Sequence, residues 1–86
     1  MKREPAWFGE QTLDLIYIAK KLKDALRLED VLTAGEIDYA VETDEYVGGV
    51  MFRSARVGAF FYVPADLLDR ARALMEQHGF RPPGLH

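Results

Sequence analysis

Apolar and polar positions change period several times along the 86 residues, and each change marks an element. Leu13 to Ala19 begins as an alternation and then fills with Leu15, Ile16, Tyr17 and Ile18. Such β-branched and aromatic density predicts a strand, and apolar character on both faces places it centrally in a sheet. Lys20 to Ala34 turns to helical spacing, with Leu22, Ala25, Leu26, Leu28 and Leu32 on one broad face. Gly35 then fits a C′ position, where a backbone free to take positive φ ends the helix. Ile37, Tyr39 and Val41 alternate with Asp38, Ala40 and Glu42, the pattern of a half-buried strand. Val57 to Val63 predicts a third strand, stopped by Pro64. Asp66 can cap a closing helix whose stripe is Leu67, Ala71, Leu74, Met75 and His78. Gly79 and Phe80 suit a Schellman stop after it.

The order β-α-β-β-α predicts an α+β domain with an antiparallel sheet and two helices on one face. With right-handed crossovers it is a ferredoxin-like arrangement whose fourth strand is missing, or supplied by the C-terminal tail or a partner. Residues 1–12 are expected to be an N-terminal lead-in, 13–80 the single domain and 81–86 a tail. The connection from Asp44 to Arg56 is open to two readings. Gly48-Gly49 could form a tight hairpin turn, or the whole stretch could be one long loop.

Composition narrows the chemistry. With no cysteine, neither disulfides nor thiolate metal sites are available, so packing or an oligomer interface must stabilise the fold. The net charge of −3 removes any global attraction to phosphate backbones or anionic lipids. The basic start, Lys2-Arg3, is followed by no apolar run, so no export signal is expected and the cytoplasm is the expected location. The longest apolar run, Ala59 to Ala65, contains a proline and is far below the roughly 20 residues of a spanning helix.

No constellation carries catalysis. His78 and His86 have no metal-ligand spacing around them, and Ser54, the single serine, has no base beside it in the pattern. The expectation is therefore a protein that is not an enzyme and holds neither metal nor cofactor. Glu29 falls among the leucines of the first helix and must reach the rim or find an arginine. The strand Arg56 to Tyr62 resembles the aromatic strand of RNA-recognition domains, but Val57 and Gly58 break that pattern and the charge opposes it. Nucleic acid is accordingly a disfavoured partner. Tyr46, Phe52, Arg53 and Arg56 combine aromatic and guanidinium groups suited to binding a partner or ligand. Trp7 and Phe8 are further candidate contact aromatics.

Two blocks of sequence support a resemblance. Leu15-Ile16-Tyr17-Ile18-Ala19, followed by Ala25, Val31-Leu32 and Ala34-Gly35-Glu36-Ile37, is one. Val63-Pro64-Ala65-Asp66, followed by Ala71 and Leu74-Met75, is the other. Together they resemble a small bacterial family of signal-transducing proteins, over roughly residues 13 to 78. Glu36 is a departure, since the family sets glycine and isoleucine side by side there. The resemblance implies a regulatory or partner-binding role and transfers no catalytic residue. The expected function is a non-enzymatic interaction module that self-associates, as a homodimer, through a sheet edge. A small-ligand sensor binding between residues 44–56 and a helix end is the alternative.

Overall fold

The computed structural model describes residues 1–48 and 54–81, with the side chains of 45–48 and 54–56 outside that description. The elements are β1 (Leu13–Ala19), α1 (Leu22–Ala34), β2 (Ala40–Gly48), β3 (Ser54–Pro64) and α2 (Leu68–Gln77). A short 3-10 turn, Pro5–Phe8, precedes β1, and another, Ala65–Leu67, precedes α2. The fold is α+β, a three-stranded antiparallel sheet with two helices. Its strand order is β1-β3-β2.

β1 is therefore an edge strand and β3 the central one, which corrects the central place that its two apolar faces suggested. The reason is visible in the register. Leu15 pairs with Tyr62 and Tyr17 with Phe61, so a bulge at Ile16 turns two successive residues toward the helices. Leu13, Leu15 and Ile18 share the other face with Pro64, Tyr62 and Phe60. Both faces of β1 are apolar because both are partly covered, not because strands flank it.

Helix side and helix-free side are told apart by burial. Ile16, Ala19, Tyr39, Phe61 and Val63 join Ala25, Leu28 and Leu32 of α1 and Ala71 and Met75 of α2 in one core. Tyr39 and Phe61 stack there with ring centres 5.9 Å apart. The Tyr39 hydroxyl donates to Glu29 Oε1 at 3.2 Å, so the carboxylate meets a phenol rather than an arginine. Burial is the main reason the Tyr39 phenol is raised above its usual range, and Glu29 adds to the rise.

Several local expectations change. Gly35 has φ −83°, and the left-handed residue is Glu36 at φ 58°. The Glu36 amide donates to the Thr33 carbonyl and the Ile37 amide to Leu32, a Schellman motif whose C′ residue is glutamate. Glycine is needed one position earlier for space: a Cβ on Gly35 would collide with Leu74 Cδ1. At the second helix Asp66 makes no cap bond, and the chain takes a 3-10 turn before α2 starts at Leu68. The closing Schellman motif forms as expected. Phe80 N–H donates to the Met75 carbonyl at 2.8 Å and Gly79, at φ 83°, to Glu76 at 3.2 Å. His78 is exposed rather than on the buried stripe.

The last described pair of the hairpin is Gly48 with Ser54, and the expected Gly48-Gly49 turn involves Gly49, which lies outside the described residues. β2 and β3 run on past the end of β1 as a two-stranded ribbon, from Asp44–Gly58 to Gly48–Ser54. At the opposite end the first residues are woven into the sheet. Lys2 forms a parallel bridge with Tyr39, where Arg3 N–H donates to the Tyr39 carbonyl at 2.7 Å. Arg3 Nε also bonds Asp38 at 3.1 Å. Between that bridge and β1 the lead-in must pass from one sheet edge to the other. Phe8, Ala40 and Pro64 are buried yet outside the helix-side core, which places this crossing on the helix-free face.

Candidate interaction surfaces

The two outer edges of the sheet differ in chemistry. β2 presents Glu42 and Asp44, its sequence adds Glu45, and Tyr39 just before it is bridged to Lys2. Charge on an edge strand opposes pairing with another chain. β1 carries Asp14 as its single charge among seven residues, and among the described residues it pairs only with β3. A bulge also blunts an edge, and the one at Ile16 divides β1 into two short straight runs.

Beside this edge lies a groove of about 320 Å³, lined by Ile16, Met75 and Phe80 with Arg72, Glu76 and Arg81 around them. Phe80 is fixed as its wall from three directions. Its ring meets Tyr17 edge-on at 5.3 Å, and the Arg27 guanidinium lies 4.5 Å over it. The Schellman amide of Phe80 holds the backbone. Arg27 also donates to the His78 carbonyl, tying α1 to the end of α2. Burial raises the Tyr17 phenol, Asp24 raises it further, and Arg27 works against both.

The helix-free face has a different character. Phe60 and Tyr62 lie on it at i and i+2 of the central strand, beside Leu15 and Ile18 of β1. The β2 residues on this face are Ala40, Glu42 and Asp44. Burial pushes the Tyr62 phenol upward, with Glu42 and Asp44 adding to it. Aromatic rings on a central strand suit base stacking, but carboxylates beside them repel a phosphate backbone.

Of the residues singled out by composition, Tyr46 and Arg56 are register partners across the ribbon. Their side chains, and Phe52 and Arg53 entirely, lie outside the described residues. Trp7 is 54% exposed, with the Arg3 guanidinium 4.4 Å over its ring, whereas Phe8 is 2% exposed. The sequence pattern showed no sign of the Ile16–Met75–Phe80 groove, and it placed Leu22 and Leu26 on the apolar face of α1, whereas both are exposed, as is Val57. No group of three potential metal ligands occurs among the described residues, and none of their helices is long and apolar enough to cross a membrane. Comparison with family models, with curated proteins and with solved structures finds no match to this chain.

Proposed function

We propose that this domain is a non-enzymatic interaction module that works by strand pairing at β1, with a second copy of itself as partner. The observation that carries the reading is the contrast between edges: β2 is acidic and is preceded by the bridge of Tyr39 to Lys2, while β1 is apolar and bears one charge. The order β1-β3-β2 is that of a ferredoxin-like sheet from which the strand beside β1 is absent. A partner's β1, antiparallel across a twofold axis, fills that place and yields one continuous sheet. The groove of Ile16, Met75 and Phe80 then sits beneath the junction and adds apolar area to the backbone pairing. The resemblance to bacterial signal-transducing proteins agrees with such a regulatory role, and a cytoplasmic setting suits it.

Sedimentation velocity over a wide concentration range tests the reading. A monomer–dimer equilibrium is expected, and Leu15→Lys should shift it at least tenfold toward monomer. Leu15 is half-buried on the helix-free face, so a circular-dichroism melt of the variant separates lost pairing from lost folding. A wild-type chain that stays monomeric at millimolar concentration overturns the proposal.

A further inference from the structure

Among the described residues, the large exposed apolar side chains outside the first seven residues gather at the end of the molecule where the ribbon overhangs. Leu22 is 75% exposed, Leu26 53% and Val57 64%. Leu22 and Leu26 are one turn apart on α1, and Val57 stands on the helix side of β3, in register with Glu45 and two residues before Ala59. Between the helix and the ribbon lies a notch of about 190 Å³, walled by Leu22, Ala25, Thr43, Val57 and Ala59. Lys20 and Lys21 also line it.

Two physical facts make this surface more than scattered exposure. A two-stranded ribbon is marginally stable in water without a layer against its face, and from Asp44 onward the ribbon has lost β1 as a neighbour. The α1 side of the rim is also basic, since Lys20 and Lys21 line it. Lys21 and Lys23 are exposed and form no ion pair among the described residues. They stand in and just before the first turn of a helix with no side-chain cap, where cations are disfavoured by the helix dipole and Asp24 is the one acidic residue of the turn. Negative charge brought to this rim would relieve that disfavour.

We propose that the notch between α1 and the β2–β3 ribbon docks a partner protein through an acidic amphipathic segment. Its apolar side chains cover Leu22, Leu26 and Val57, and its carboxylates meet Lys21 and Lys23. The site lies on the α1 side of the molecule and does not depend on pairing at β1.

The probe is a fluorescein-labelled helical peptide with leucines on one face and glutamates on the other, titrated with the full chain and followed by anisotropy. Saturable binding is expected, with amide shift changes on labelled protein centred on residues 21–26 and Val57. Leu22→Ser with Leu26→Ser should weaken it at least tenfold, as should Lys21→Glu with Lys23→Glu. These positions are exposed, so the serine variant should melt with the wild type, and the glutamate variant at or slightly above it because acids suit a helix N-terminus. A peptide with lysine in place of glutamate should not bind. The proposal is overturned by absence of saturation at millimolar protein, by equal binding of the lysine peptide, or by binding that survives both double variants. Shift changes centred on β1, or concentration-dependent changes at Leu22 and Val57 without peptide, overturn it as well, the latter pointing to a second copy as occupant.

Discussion

Glu36 bears the left-handed conformation that glycine adopts without strain. At φ 58° its Cβ crowds the following carbonyl, at a cost of about 1 kcal/mol for a non-glycine residue. Its amide and that of Ile37 already close the Schellman motif, so nothing is lost when the side chain goes. Glu36→Gly should stabilise the domain by about 0.5 kcal/mol after the added freedom of the unfolded chain is counted. For a domain of this size that raises the melting temperature by about 2–4 °C. Calorimetry checks it, and no rise would mean that the exposed glutamate makes a compensating contact. A glycine one residue before the position that needs it could not be told from a C′ glycine by pattern alone. The motif fits either register, and the packing of Leu74 decides between them.

At the scale of elements, helix–helix contact explains why Gly35 is where it is. The missing Cβ lets Leu74 of α2 lie against the last turn of α1, and the Arg70 guanidinium donates to the Gly35 carbonyl at 2.6 Å beside it. Gly35→Ala should cost about 1 kcal/mol, the low end for overpacking, because the atom in the way is a terminal methyl of half-buried Leu74 that can turn aside. In a Leu74→Ala background most of that cost should disappear, and a urea double-mutant cycle should give a coupling of about 1 kcal/mol. Additive effects would show that the clash is relieved elsewhere. The same scale explains which surface leucines were legible. Ala25, Leu28 and Leu32 centre the buried face of α1, while Leu22 and Leu26 lie about 90° and 130° round from that centre at 3.6 residues per turn. A wheel drawn around the buried residues exposes them, but which residues are buried is not known until α2 and the sheet are placed.

Across the whole molecule, the lead-in is part of the fold. Residues 1–3 border β2 and Phe8 is buried on the helix-free face, so that face is covered at one end by chain that precedes β1. Phe8→Ala should destabilise the domain by about 3 kcal/mol, the usual cost of emptying a buried aromatic site. Equilibrium urea unfolding measures this; a change under about 0.5 kcal/mol would place Phe8 among surface residues. Trp7 and Phe8 are adjacent and alike in sequence, and one is exposed while the other is buried. No local period distinguishes them, because the 3-10 turn that separates their directions is held by a bridge to Tyr39, far along the chain.

The identity and order of the elements followed from the sequence alone, since periodicity and glycine-marked helix ends act within a few residues of one another. Phe80's Schellman stop was legible for that reason. The place of β1 at the sheet edge, the acidic guard on β2 and the exposure of Leu22, Leu26 and Val57 were decided by tertiary structure. Each depends on which strands become neighbours. That choice is made by contacts between residues distant in sequence, through a bulge at Ile16 and a lead-in crossing that no local pattern announces.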